Sequence, residues 1–129
     1  MPNDRRCSCG SGADYAGCCG PFHAGERAAP TAVALMRSRF SAFAIGDGDY
    51  LLATWHPDTS PKRLNLDPAI TWRRLEIVDV AAGAEQDTEG VVEFRAHYQR
   101  DGRRQILHER SRFVRINGRW MYVDGDFNT

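Results

Sequence analysis

All four cysteines of this chain lie in one short stretch, CSCGSGADYAGCC, from Cys7 to Cys19. Residues 1–30 around it are rich in Gly and Ala and show almost no apolar periodicity, so burial alone cannot hold their shape. A clamp is needed. The spacing is Cys-x-Cys, then eight residues, then Cys-Cys. Adjacent Cys18 and Cys19 are poorly placed to bridge each other, because a relaxed disulfide wants Cα atoms about 5.5 Å apart, beyond a single peptide step. Disulfides crossed between the two pairs, or ordinary buried thiols, remain as alternatives. Four thiolates arranged as a tetrahedron about 2.3 Å from a zinc ion make the more natural clamp, since the intervening loop is short and rich in glycine. Gly10, Gly12 and Gly17 allow tight turns that aim N–H groups at sulfur, and Arg5 and Arg6 would help offset a dianionic centre. Four protein ligands, Cys7, Cys9, Cys18 and Cys19, leave no open coordination position, so the expected Zn2+ is structural. His23 is close enough in sequence to compete as a ligand, although a histidine in GPFHAG is more often a loop hydrogen-bonder.

Thiols suit such a site only in a reducing compartment. The polar start MPNDRR lacks the apolar run of a secretory signal, and no stretch reaches the roughly 20 apolar residues of a membrane span, so the expected location is cytoplasmic. The 129 residues suffice for one domain with a small appended module. Seventeen basic and seventeen acidic residues cancel, so no global field attracts nucleic acid or an anionic membrane.

Beyond the cysteines the periodicity is first helical and then alternating. Pro30 and the candidate N-cap Thr31 open a helix in which Leu35, Met36, Phe40, Phe43 and Ala44 recur at helical spacing. Gly46 and Gly48 interrupt it, and Asp47 or Asp49 would cap a second helix carrying Tyr50, Leu51 and Trp55, closed by HPDTSP. A helical turn is expected around LDPAI. From Thr71 onward TWRRLEIVDV, GVVEFRAHYQ, RRQILHERSRFVRI and RWMYVDGD read as strands. Asp101-Gly102 and Asn117-Gly118 are turn signals between antiparallel neighbours. Helices followed by a meander predict an α+β fold.

The cysteine stretch resembles the SEC-C zinc motif, whose ligands correspond to Cys7, Cys9, Cys18 and Cys19. Its GSG and Tyr15 also fit, and Ser8 departs where proline is common. GPFHAG, TAVALMRSRFSAFAIGD, YLLATWHP and LHERSRFVRINGRWMYVDGD extend the similarity to the YchJ-like bacterial proteins. The resemblance implies a SEC-C-type module over residues 1–29. Residues 30–129 would form a cone-shaped, nuclear transport factor 2-like domain of helices packed on a curved antiparallel sheet. That family's biochemical role is poorly defined, so the resemblance implies architecture more than activity.

Strand phase selects candidate pocket residues. In the third strand Leu107, Glu109, Ser111 and Phe113 share one face, with polar groups flanked by apolar ones as in a pocket wall. On the second strand His97 falls opposite Val92, Phe94 and Ala96 and is expected to face solvent. Tyr122 could add a hydroxyl, and Trp55 and His56 sit near the expected mouth. His56 suits proton transfer, but a ring capping the helix end is the simpler reading, just as Glu109 paired with Arg37 or Arg39 is simpler than a catalytic Glu109. No nucleophile, P-loop or dinucleotide motif is present. The leading expectation is a zinc-binding adaptor that engages a protein partner through the zinc module or a small ligand in the cone. A small enzyme using His56 and Glu109 as acid and base is the alternative. Nucleic-acid binding through Arg95, Arg103, Arg104, Arg110, Arg112 and Arg115 is the least expected, and the oligomeric state is left open.

Overall fold

A computed structural model describes residues 6–10 and 12–127. Arg5, expected to flank the metal, and Ser11 of the GSG turn lie outside them. A 3-10 turn at Tyr15–Gly17 and a short α1 (Gly20–His23) follow the first two cysteines. Next come α2 (Ala32–Ile45), α3 (Gly48–Ala53) and four strands: β1 (Ile70–Ala82), β2 (Glu89–Arg100), β3 (Arg103–Ile116) and β4 (Arg119–Phe127).

Helix α2 begins where a polar side chain can satisfy its first amides: Thr31 Oγ1 accepts from Ala34 N at 3.0 Å. It ends at Gly46, whose φ of 82° supplies the left-handed cap. Thr31→Ala is expected to cost about 1 kcal/mol of unfolding free energy, measurable by urea titration. Asp47 caps α3 by accepting from Tyr50 N at 3.1 Å. That helix stops at Ala53, so Trp55 lies beyond it. The reason is tertiary: Tyr122 N donates to Thr54 O and His56 N donates to Tyr122 O, both at 2.8 Å, pulling this segment into a parallel bridge with β4. LDPAI is likewise no helix. Pro68 and Ala69 form a turn, Asp67 Oδ1 accepts from Ala69 N at 2.9 Å, and Ile70 already belongs to β1.

The strands form one antiparallel sheet in the order β1-β2-β3-β4. Both hairpin turns use two successive positive φ values, 54° and 78° at Asp101-Gly102 and 52° and 79° at Asn117-Gly118. Helix α2 crosses β1, β2 and β4. Leu35, Met36 and Phe40 of that helix pack on Leu75, Val92, Phe94, Ala96, Phe113 and Trp120 of the sheet. Burying these side chains is worth about 1.5–3 kcal/mol each for the larger ones.

Arg39 is buried toward α3 and Tyr122 of β4, and Ser38 and Ser41 are buried where α2 faces His23 and the cysteine segment. There Arg37 Nη1 donates to Cys9 O at 3.3 Å. His23 Nε2 donates to Ser38 O at 2.8 Å, while its Nδ1 accepts from the Tyr15 hydroxyl at 2.6 Å. No helix among the described residues is long and apolar enough to cross a membrane.

The outer face of the sheet carries ion pairs. Glu93 meets His108 at 2.7 Å and Arg110 at 3.0 Å, and Arg112 meets Asp124 at 2.6 Å and Asp126 at 2.8 Å. His97 lies on this face beside Glu76 at 3.3 Å. The His108 hydrogen bond, then Arg110, hold the Glu93 carboxyl below its usual range. Its contribution is therefore complete above the unfolded carboxylate value of about 4.3 and is lost as pH falls through the lower folded value. Melting temperatures of wild type and Glu93→Gln should differ at pH 7 and draw together as the pH falls below the ordinary carboxylate range.

Candidate metal centre and cavity

Cys7, Cys9 and Cys19 are buried and Cys18 is partly buried. Their sulfurs lie within 4.8 Å of one another, with Cys9 to Cys18 at 3.6 Å and Cys18 to Cys19 at 3.9 Å. A disulfide would need about 2.05 Å. Sulfurs about 2.3 Å from a common ion sit about 3.8 Å apart along the edges of a tetrahedron, so the spacing fits one ion and excludes a cystine.

Two local devices bring the pairs together. Cys7 N donates to Ala13 O at 2.8 Å, closing the intervening loop on itself, and Gly10 N donates to Cys7 O at 3.2 Å. The amides of Gly10 and Gly17 are thus spent on carbonyls, the latter on Asp14 O at 3.0 Å, where the sequence reading aimed them at sulfur. On the other side, Ser41 of α2 supplies a hydroxyl to Cys19. The hydrogen bond from Cys9, then burial, push the Cys19 thiol far above its usual range despite Ser41. Crowded thiols in a dry site cannot all ionise alone, and a dication removes that penalty. His23 is not part of the cluster, because both ring nitrogens are committed to Tyr15 and Ser38.

The candidate pocket residues do not all converge. Trp55, Glu109, Ser111 and Tyr122 line a cavity of about 270 Å³ between α2 and the sheet, together with Met36, Arg39, Phe40, Phe43, Trp72, Phe94 and Leu107. His56 does not line it. Its Nδ1 accepts from Asp58 N at 3.0 Å, so the ring caps the turn that follows instead of the helix before it.

Glu109 pairs with neither Arg37 nor Arg39. Its Oε2 accepts from Ser111 Oγ at 2.6 Å and from the Tyr122 hydroxyl at 3.0 Å. Gly125 makes room for this arrangement, since a Cβ there would overlap the Glu109 carboxylate. Burial and then the Glu109 charge raise the Tyr122 phenol well above its usual range, so it remains a donor. Arg39, 3 % exposed, donates through Nη1 to Leu51 O and Thr54 Oγ1, both at 2.8 Å, and clasps α2 to α3. Burial draws its guanidinium down to about 10, still protonated at neutral pH. It lies 4.7 Å over the Tyr122 ring and 5.1 Å over that of Trp55.

An NTF2-like α+β body preceded by a cysteine knuckle is the class that this fold and site define. Residues 31–125 match the family model of the YchJ middle NTF2-like domain. A UPF0225 protein of Streptomyces coelicolor is 56 % identical over 121 residues, with 94 % of each chain covered. One of Chromobacterium violaceum is 51 % identical over 123 residues, covering 92 % of this chain and 90 % of its own. The chain belongs to the YchJ-like, UPF0225 family. Among solved structures, a SEC-C motif containing protein from Rhodopseudomonas palustris superposes with a TM-score of 0.82 at 35 % identity, covering 95 % of this chain and 98 % of the other. A second such protein, from Psychrobacter arcticus, gives 0.76 at 26 % identity, with 98 % and 84 % covered.

Proposed function

We propose that residues 1–29 form a structural zinc module fixed to an α+β scaffold of residues 30–129, and that the protein is a cytoplasmic binding or adaptor protein. It engages a protein partner through the loop that the metal holds in shape. The carrying observation is the set of four sulfurs within 4.8 Å of one another and no other His, Asp or Glu in the cluster among the described residues. Four ligands saturate zinc, which supports a structural ion over a Lewis acid. The loop between the cysteine pairs is exposed at Gly12, Ala13, Asp14, Ala16 and Gly17, while three of the four thiols are buried, as suits a clamp beneath a recognition surface.

The outer-face ion pairs of Arg95, Arg110 and Arg112 with acids support a partner other than nucleic acid. The separation of His56 from the Glu109 cavity weighs against an acid/base enzyme built on that pair. Affinity capture with the tagged full chain from its native lysate tests the role, with the Cys18→Ser form as control. A partner retained only by wild type supports it, and identical captures from both oppose it.

A further inference from the structure

The outer face of the sheet divides into two parts of unlike charge balance. Around Glu93 the arginines are matched by acids: Arg95 by Glu76 at 3.6 Å, Arg110 by Glu93 at 3.0 Å and Asp79 at 3.1 Å, and Arg112 by Asp124 and Asp126. Next to the Asp101-Gly102 hairpin the matching stops. Arg73, Arg74 and Arg104 are exposed there, and none of them makes an ion pair among the described residues.

A β-bulge assembles this cluster. Trp72 pairs with Tyr98 and Arg74 pairs with the next residue of β2, His97, so Arg73 is an extra residue in β1. Regular alternation would send Arg73 and Arg74 to opposite faces, and the bulge turns both outward. Arg73 Nη2 donates to Gln99 Oε1 at 2.9 Å, and Arg74 Nη2 lies 3.2 Å from His97 Nε2, two side chains of one outward row of β2. Arg104 stands across from Gln99 on β3. With Ile106, which is 56 % exposed, these residues line an open cleft of about 500 Å³ that contains no carboxylate among the described residues. Guanidinium groups gathered in this way repel one another, and an anion shared between them removes that penalty.

We propose that this cleft binds a small phosphate monoester, with the phosphoryl group among Arg73, Arg74 and Arg104 and the organic body against Ile106. A phosphate monoester brings nearly two negative charges at neutral pH and three acceptor oxygens, which suit several guanidinium forks at once. A carboxylate brings one charge and leaves the arginines in excess. The bordering acids limit the length of the ligand. Glu76, 3.3 Å from His97, closes the basic surface along the sheet, and Asp101 stands in the hairpin at its other end. A nucleic-acid strand, charged at every diester, would run from the cleft onto these acids. The cleft lies on the sheet face opposite α2 and apart from the cysteine cluster, so its test does not depend on the metal reading.

The test is a titration of the full-length, reduced, 15N-labelled protein with phenyl phosphate, against inorganic phosphate, benzoate and a short single-stranded oligothymidylate. The arginine Nε–H signals provide an internal comparison. Those of Arg73, Arg74 and Arg104 should move saturably, while that of Arg119, an exposed arginine outside the cleft, stays in place. Phenyl phosphate should bind at least tenfold more tightly than benzoate and at least threefold more tightly than inorganic phosphate. Arg73→Gln and Arg104→Gln should each weaken it at least fivefold, and Arg119→Gln should leave it unchanged. The proposal is overturned if phenyl phosphate does not saturate these signals, if benzoate or inorganic phosphate binds as tightly, or if binding is indifferent to both cleft substitutions. Tighter binding of the oligothymidylate would also overturn it, and would make this face a nucleic-acid surface.

Discussion

Cys9→Ser is expected to abolish metal binding at the proposed site and unfold the amino-terminal module while the sheet stays intact. Cys9 is fully buried, and its sulfur stands 3.6 Å from that of Cys18, so a serine leaves three thiolates around a charge that needs four. Structural zinc supplies about 10–16 kcal/mol of folding free energy in isolated finger peptides. Apart from its hydrogen bonds to α2 the module has little else to hold it: besides the cysteines, only Tyr15 packs into the cluster among the described residues. The body has a separate core and should survive. Metal content should fall from one equivalent per chain to below a tenth. Amide exchange should accelerate by at least a hundredfold at Cys7, Gly10 and Cys18, whose N–H groups close the module's turns. Chelation of the wild type under reductant should give the same exchange pattern. Losses reaching β2 and β3 would show instead that the sheet depends on the metal.

The second large effect is expected at Gly90→Ala. A Cβ at Gly90 would stand 2.5 Å from Gly83 Cα and 3.0 Å from Gly83 N, and 3.1 Å from the Ala32 Cβ. These neighbours are mostly backbone and cannot rotate away. The β1–β2 connection passes so close to α2 that Ala32 N donates to Gly83 O at 3.0 Å. Pushing the strands apart breaks that bond and lifts the start of α2 from the sheet, with a cost of about 3 kcal/mol. Gly102→Ala is the contrast. Its φ is 78° but a Cβ meets nothing within 4 Å, so only the left-handed penalty of about 1–2 kcal/mol applies. Urea titration of both variants should preserve that order, and an equal loss in the two would remove the close-approach explanation.

Much of the architecture is legible in the sequence because its causes are local. Alternation along VVEFRAH and ILHERSRFV places Val92, Phe94, Ala96, Glu109, Ser111 and Phe113 on the buried face, where they are found. The two Xaa-Gly dipeptides mark the hairpins, and Thr31 and Asp47 mark the helix starts. The cysteine spacing specifies a cluster because thirteen residues can close on few other shapes.

What sequence leaves hidden depends on partners distant along the chain. Trp55 reads as helical until Tyr122 takes the backbone of Thr54 and His56. Ser38 and Ser41 carry no sequence signal of burial, and only the approach of His23 and the knuckle covers them. Arg39 and Glu109 invite pairing by charge, yet Arg39 turns to the end of α3 and Glu109 to Ser111 and Tyr122, into space that Gly125 leaves open. Neither Gly83 nor Gly90, the latter opening the run GVVEFRAHYQ, carries a steric signal in the sequence, and only the approach of α2 and the β1–β2 connection gives them one.

The most direct measurement is X-ray absorption at the zinc edge, with metal quantification, on full-length protein purified under reductant. The expected result is one zinc per chain in a shell of four sulfurs at about 2.3 Å with no nitrogen or oxygen neighbour. A chain free of stoichiometric metal whose Cys7–Cys19 amides remain protected would contradict it, as would a shell in which a His23 nitrogen replaces a sulfur.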